Sequence, residues 1–133
     1  MSSEVIRTFF DDLMQSRFEA LEARLAEDIV FEFPGRRFGG RREGKRRVMT
    51  FLRANQRLFT GGLKFHLFWV GVVDDRAVAQ WTNEGTTRDG VAYSNRGVTV
   101  FRLAGDKIVE IQDYLDTEKI AETWPARAEE TKP

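Results

Sequence analysis

The sequence contains no cysteine, so disulfide bonds and thiolate chemistry are both excluded. It contains one histidine, His66, which excludes a metal site built from several histidines. The glycine-rich stretch GRRFGGRREG at 35–44 follows a proline and lacks the spacing of a dinucleotide-binding turn. We therefore expect no metal, flavin or nicotinamide cofactor.

An excess of one charge sign and a long apolar segment are also missing. Lys+Arg and Asp+Glu both number 21, so net charge provides no general attraction to nucleic acid or to a membrane surface. No apolar run approaches the about 20 residues that cross a bilayer. The amino-terminal MSSEVIRTFFDDL lacks the basic start and apolar centre of a signal peptide. We expect a cytoplasmic protein whose partners are neither nucleic acid nor membrane.

The sequence is instead rich in apolar and aromatic residues. Hydrophobic residues make up 41% of the 133-residue chain, and 11 Phe, 3 Trp and 2 Tyr are among them. A chain of this length buries a substantial core as one domain. We predict a single domain over 1–133, with the charged residues 126–133 as a frayed tail.

The first half of the chain is mainly helical in pattern. Apolar residues between Ser3 and Leu25 recur at about helical spacing, and a break at Ser16-Arg17 predicts two consecutive helices or one bent helix. A short strand, DIVFEFPG, ends at a Pro-Gly turn, and the basic stretch 36–44 is predicted to be a loop. A second helical pattern extends from Lys45 to about residue 59.

The second half is predicted to be sheet. Four stretches rich in β-branched and aromatic residues are separated by short turns: LKFHLFWVGVV, AVAQWTNEGTT, AYSNRGVTVFRL and KIVEIQDYL. Strands joined in this way form an antiparallel meander, one face of which helices can cover. The predicted fold class is α+β.

One aspartate in the last strand stands out because of its position in the alternation. Val109, Ile111, Asp113 and Leu115 share one face of this strand, and the apolar members of that set should face the interior. A buried carboxylate is costly unless it is paired, hydrogen-bonded or protonated. We expect Asp113 to border a cavity, to accept a hydrogen bond from a neighbouring strand and to have a pKa raised by desolvation.

The element order and four stretches resemble a known fold. The stretches are ARLAEDIVFEFPG, GKRRVMTFL, AQWTNEGT and GVTVFRLAGDKIVEIQDYLDT. They are similar to nuclear transport factor 2-like (NTF2-like) proteins, and most of all to the SnoaL-like branch. The resemblance implies a cone in which amino-terminal helices pack on a curved, mostly antiparallel sheet. It also implies a pocket between them, which polyketide cyclases, ketosteroid isomerases and limonene epoxide hydrolases use.

The catalytic groups of two of these relatives are absent here. The resemblance places the base, the tyrosine and the second acid of a ketosteroid isomerase at Phe33, Phe9 and Thr99. The acid of a polyketide cyclase falls near Thr99 as well, and its histidine falls on Thr87. None of these side chains exchanges a proton near neutral pH.

The epoxide hydrolase relative retains one of its groups. That enzyme holds a water between two aspartates and an arginine, and Asp113 matches one aspartate in the context DYxD. The other two positions fall on Gln80 and Thr82, or on Trp81 and Asn83 after a slip of one residue. Asp113 is therefore the candidate catalytic residue, acting as a lone acid or base.

Several further side chains are expected to bind a substrate. The expected apolar wall consists of Phe10, Met14, Phe33 and Phe101, and the expected polar groups are His66, Gln80, Tyr93, Asn95 and Thr99. Structural roles are the open alternative. Asp113 would then bond to backbone N–H groups or to Gln80, Asn95 or Tyr93, and His66 would be a hydrogen-bonded strand residue.

Two functions remain open from the sequence. The first is a SnoaL-like protein that binds a small, largely apolar organic molecule, with acid–base chemistry of isomerase, cyclase or hydrolase type through Asp113. The alternative is a non-catalytic NTF2-like module that binds a ligand or a partner and fills the pocket with its own side chains. An enclosed volume of several hundred Å³ bordered by Asp113 would favour the first.

Two surface features suggest partners. The basic run around the start of the second predicted helix comprises Arg36, Arg37, Arg41, Arg42, Lys45, Arg46 and Arg47. Helix amino termini favour anions, so this run is either an anion-binding segment or a solvated basic loop. On the outer face of the predicted meander, Val78, Val98 and Val100 would leave an apolar patch exposed in a monomer. We expect a homodimer formed through the sheets.

Overall fold

The computed structural model describes residues 3–123, so the predicted tail at 126–133 lies outside the described residues. The helices are α1 (Glu4–Met14), α2 (Phe18–Ala23), α3 (Lys45–Arg57) and α4 (Thr117–Thr123). The strands are β1 (Leu25–Phe33), β2 (Gly40–Glu43), β3 (Lys64–Val73), β4 (Arg76–Thr86), β5 (Ala92–Ala104) and β6 (Lys107–Leu115).

The break predicted at Ser16-Arg17 separates two helices. Ser16 has a φ of 57°, a left-handed conformation that ends α1 before α2 begins. Buried Asp12 accepts hydrogen bonds from Arg17 Nε at 2.9 Å and from Arg24 Nε at 3.1 Å. This carboxylate therefore ties α1 to both ends of α2.

The six strands form one mostly antiparallel sheet in the order β2-β1-β6-β5-β4-β3. The predicted meander β3 to β6 is confirmed, since each strand pairs antiparallel with the next. β1 pairs in parallel with β6 and so brings the amino-terminal half of the chain against the meander. The α+β cone fold predicted from the sequence is confirmed.

One predicted loop contains a strand. Gly40–Glu43, within the basic stretch 36–44, is β2, and it pairs antiparallel with β1. Arg41 Nη1 lies 2.8 Å from Glu32 Oε1 across this pair. Consecutive arginines have no strand pattern of their own, so pairing with β1 rather than local propensity determines this edge strand.

The core lies between the helices and the inner face of the sheet. Phe9 and Phe10 of α1 contact Phe101 of β5, with ring centroids 5.3 and 5.9 Å apart in edge-to-face arrangements. Trp81 of β4 and Ile111 of β6 are buried on the same face. This apolar layer holds the helices over the sheet.

Two irregularities change which side chains face inward. The register of β3 shifts between Leu67 and Trp69, so Phe65, Leu67, Val70 and Val72 all pack against the core. Because of this shift, His66 lies on the opposite face of β3 from Val70 and Val72.

A second shift affects the strand that carries Asp113. The register between β5 and β6 changes between Arg102 and Leu103, and Ile108 is buried while Val109 is only half-buried. Val109 is therefore not the inward-facing residue of that segment. Asp113 and Ile111 lie beyond the shift and keep the predicted alternation.

Candidate functional site

A cavity of about 280 Å³ lies between the helices and the inner face of the sheet. α1 contributes Phe9 and Phe10 to its wall, α3 contributes Phe51 and Leu52, and most of the remaining wall is also apolar. An engineered cavity of ~150 Å³ holds one benzene, so this one suits a compact ligand of roughly twelve non-hydrogen atoms.

Asp113 lies on this wall at the end of a hydrogen-bonded relay. Trp81 Nε1–H donates to Thr99 Oγ1 at 2.9 Å, and Thr99 Oγ1–H donates to Asp113 Oδ1 at 2.7 Å. The members lie on β4, β5 and β6, and Asp113 is directly opposite Thr99 in the register. Within residues 3–123, Thr99 is the side chain or backbone group that donates to this carboxyl group. The relay orients one oxygen and leaves Oδ2 for a ligand.

The surroundings of Asp113 favour its protonated form. Desolvation raises its pKa to about 6, and the hydrogen bond from Thr99 opposes this only in part. No cation contributes to the shift. The group therefore changes protonation state close to neutral pH, which an ordinary aspartate does not do.

Tyr93 and Asn83 are further polar side chains on the cavity wall. Desolvation raises the pKa of Tyr93 to about 12, so its phenol is neutral throughout the physiological range. Asn83 is buried, and its Oδ1 has no hydrogen-bond partner among the described residues. An unsatisfied buried amide oxygen is uncommon and marks a position where a ligand donor would be stabilised.

The cavity also contains one basic side chain, Arg42 of β2. Its guanidinium carbon lies 3.8 Å from the centroid of the Phe51 ring, a cation–π contact with α3. Burial lowers the pKa of Arg42 from its ordinary value. Asp113 and Arg42 therefore lie on the wall of the same cavity.

Five of the predicted site residues line the cavity. These are Asp113, Thr99, Tyr93, Phe10 and Phe33. The structural alternative paired Asp113 with backbone N–H groups or with Gln80, Asn95 or Tyr93. In the structure, Asp113 accepts its hydrogen bond from Thr99. Strand alternation and helical spacing were sufficient to place these five.

Two predicted residues lie on the opposite face of the sheet. Gln80 is exposed, because the inward side of β4 carries Ala79, Trp81 and Asn83. His66 is exposed as well, with Nε2 3.2 Å from Glu84 Oε1. Both assignments to the pocket are wrong. His66 depended on the phase of a strand that is apolar on both faces, and Gln80 depended on the positions that the epoxide hydrolase resemblance implied.

Three other predicted site residues do not line the cavity. Phe101 is fully buried in the core, and Met14 lies at the end of α1, where its Sδ accepts a bond from the Phe65 backbone N–H at 3.0 Å. Asn95 Nδ2 donates to Tyr93 Oη at 2.9 Å and to the Asp116 carbonyl at 3.0 Å. Asn95 thus joins β5 to the start of α4 and does not border the cavity.

Sequence reasoning missed Trp81, Asn83 and Arg42 as polar groups of the site. A signal existed for the first two, because a slip of one residue along β4 places them inward in place of Gln80 and Thr82. No sequence pattern indicated Arg42, since the residues of β2 do not have the alternation that predicts a strand.

Within residues 3–123, no three His, Cys, Asp or Glu side chains lie close enough together to hold a metal ion. In the same described part of the chain, no helix is both long and apolar enough to cross a membrane. The site consists of the relay, the aromatic wall and the side chains of Tyr93, Asn83 and Arg42.

Comparisons with known proteins agree with this architecture. Residues 6–111 match the SnoaL-like domain. The solved structure of Bal32a, from a soil-derived mobile gene cassette, is similar with a TM-score of 0.84 and 20% identity, covering 92% of this chain and 95% of that one. An NTF2-like protein from Anabaena variabilis is 27% identical, with a TM-score of 0.75 and 84% of each chain covered.

An LEH-like epoxide hydrolase from M. tuberculosis is also similar, at 21% identity and a TM-score of 0.75, covering 92% of this chain and 94% of that one. Comparison with curated proteins finds no match. At these identities the similar structures bear on the fold alone, whereas the domain match covers most of the chain. The chain belongs to the SnoaL-like family.

Proposed function

We propose that this protein binds a small, largely apolar organic molecule in the cavity and transfers a proton to or from it through Asp113. The observation that carries this proposal is the combination of cavity and carboxyl group. Asp113 borders an apolar cavity of about 280 Å³ and is held at one oxygen by Thr99. A positioned acid whose pKa lies near the working pH is the requirement for general acid–base catalysis.

The number of carboxyl groups limits the reaction type. Among the residues described, Asp113 is the one carboxyl group that lines the cavity. Epoxide opening by a water held between two aspartates lacks its second acid here. A single carboxylate suffices for an isomerase or cyclase step. Asp113 Oδ2 takes a proton from a carbon next to a carbonyl, the electron pair moves to the carbonyl oxygen, and the proton returns to carbon.

Binding without catalysis is the second candidate function. It is supported by Phe9 and Phe33, which occupy positions where the isomerase relatives have a tyrosine and a base, and which line the cavity. A ligand would then be held by apolar contact, with Asn83 and Asp113 as polar contacts.

A hydrogen–deuterium exchange experiment separates the two. Small cyclic ketones of about twelve non-hydrogen atoms are incubated with the protein in D₂O, and exchange next to the carbonyl is followed by NMR. We expect the wild type to accelerate exchange, with a rate that rises as pH passes through about 6, the pKa of Asp113. Asp113→Asn should abolish exchange but retain ketone binding. Asp106→Asn, in an exposed turn, is the matched control and should exchange normally.

Each other outcome has a definite meaning. Equal exchange by Asp113→Asn and wild type would show that Asp113 is not the acid–base group. Binding of ketones with no exchange by the wild type would favour the non-catalytic candidate. A wild-type protein that binds none of the ketones would count against the ligand site itself.

A further inference from the structure

Arg42 is a half-buried cation on the wall of the cavity. It pairs in register with Phe31 of β1, so β2 directs it to the same side of the sheet as the aromatic core. Its guanidinium stacks on Phe51, and Nη1 is fully buried without a hydrogen-bond partner among the described residues. A guanidinium nitrogen in this state has lost its water without gaining an acceptor, which is unfavourable.

Two neighbouring basic side chains differ from Arg42 because each has an acidic partner. Arg41 pairs with Glu32 and Glu43, and Lys45 pairs with Glu27. None of the ion pairs within residues 3–123 includes Arg42, and desolvation is what lowers its pKa. A partly desolvated charge without a counterion is stabilised by an anion beside it, so this part of the cavity favours a ligand that carries a negative charge.

We propose that the ligand is a small apolar carboxylate whose anionic group binds Arg42. This inference rests on the proposed ligand site and narrows its substrate class. A guanidinium is planar and matches two carboxylate oxygens, and its charge is delocalised, so an anion at any exposed edge is stabilised. The aromatic wall then contacts the carbon skeleton.

The position of Arg42 is compatible with a negative charge at Asp113. Arg42 is opposite Phe31, and Phe31 is opposite Ile111, two residues before Asp113. Arg42 on β2 is two strands away from Asp113 on β6, and the two residues are also offset by two positions along the strand direction. Together these spacings place their Cα atoms roughly 12 Å apart. The ligand carboxylate is expected at the Arg42 end and the reacting carbon at the Asp113 end, which keeps like charges separated.

A matched pair of probes tests the inference. 3-Phenylpropanoate and 3-phenylpropanamide have the same shape and differ in charge, and their affinities are measured by calorimetry at pH 7. We expect the carboxylate to bind the wild type at least tenfold more tightly. Arg42→Met should weaken carboxylate binding by about ten- to a hundredfold, the range for a charge-assisted contact, and leave amide binding unchanged. Arg47→Met makes the same charge change at an exposed position and should alter neither affinity.

The remaining outcomes distinguish this inference from the proposed function. Equal affinity of the two probes for the wild type would overturn the carboxylate inference and leave the ligand site standing. Failure of both probes in a protein that binds the ketones would overturn the carboxylate inference alone, whereas failure of the ketones as well would overturn both.

The thermal unfolding midpoint separates a binding role from a structural one. Arg42→Met removes an unpaired, half-buried charge and replaces its cation–π contact with Phe51 by a thioether–aromatic contact, so the midpoint should change little. A marked fall in the midpoint, together with equal loss of both probes, would show that Arg42 supports the fold and does not recognise an anion.

Discussion

Asp113 lies in phase with Ile111 on β6, so its carboxyl group faces the aromatic interior of the cone. Desolvation raises its pKa from 3.8 to about 6, which means that the folded protein binds this proton more tightly than the unfolded chain does. Stability contributed by this group is therefore greatest at low pH and is lost as pH rises from about 4 to 6. The ionised form that acts as a base is the less stable form of the fold.

We predict that Asp113→Asn stabilises the protein at neutral pH. Asparagine keeps an oxygen for the hydrogen bond from Thr99 and has no charge to desolvate. The free energy of unfolding should match the wild type near pH 4 and exceed it by about 2–3 kcal/mol at pH 7.5. Denaturant unfolding between pH 4 and 8 measures the difference.

The matched control for this prediction is Asp106→Asn, at an exposed turn, which should show no such divergence with pH. The opposite result would be a loss of several kcal/mol in Asp113→Asn at every pH. That result would mean that Asp113 is an ionised structural anchor, and the proposed site would then be wrong.

At the scale of elements, the relay depends on how closely three strands approach. Gly97 of β5 pairs with Trp81 on one side and Leu115 on the other. A Cβ atom at Gly97 would lie 2.3 Å from the Tyr114 carbonyl oxygen and 3.1 Å from Cη2 of Trp81. The absence of a side chain at this position therefore gives the Trp81 indole room to cross β5 and reach Thr99.

We predict that Gly97→Ala destabilises the fold by about 2 kcal/mol or more, because the contact with backbone cannot be relieved by a side-chain rotation. The Trp81 fluorescence spectrum should also change, since its hydrogen bond to Thr99 is displaced. Chemical denaturation with fluorescence detection reports both effects.

Gly40→Ala is the control, as the nearest atom to its added Cβ is Arg42 Nη1 at 3.8 Å, an ordinary contact. It should be tolerated. Unaltered stability and fluorescence in Gly97→Ala would show that β5 and β6 separate easily and that the relay does not require their close approach.

At the scale of the whole molecule, the outer face of the sheet is unusually apolar. Trp69 and Tyr114 are 53% and 50% exposed there, and Val78, Val98 and Val100 of β4 and β5 are only half-buried. Soluble monomers seldom leave a contiguous apolar patch of this kind in water. We propose that two copies pair through this face, which leaves the cavity on the opposite side of each sheet accessible.

We predict that the wild type sediments at about twice the 15.4 kDa of one chain at micromolar concentration. Val98→Glu should convert it to a monomer, because two copies of the new charge would be buried at the paired face. Val91→Glu changes an exposed residue in the β4–β5 turn and should remain dimeric. A wild type that sediments as a monomer throughout this range would refute the proposed pairing.

The sequence by itself determined the elements and the phase of the strand that carries Asp113. Helical spacing, turn residues and two-residue alternation are local properties, so they predicted α1, α3 and the four meander strands. β6 has a clear polar and apolar face around Asp113, which is why the cavity position of this residue was predictable.

Only the tertiary structure decided the rest of the site. Both faces of β4 carry polar side chains near its middle, with Asn83 on one and Gln80 and Thr82 on the other, and only the folded sheet shows that Trp81 and Asn83 face inward and that Gln80 does not. A bulge in β3 moved His66 to the outer face, and pairing with β1 made the arginine-rich β2 a strand. Bulges and edge strands depend on a partner strand distant in sequence, and local periodicity contains no information about that partner.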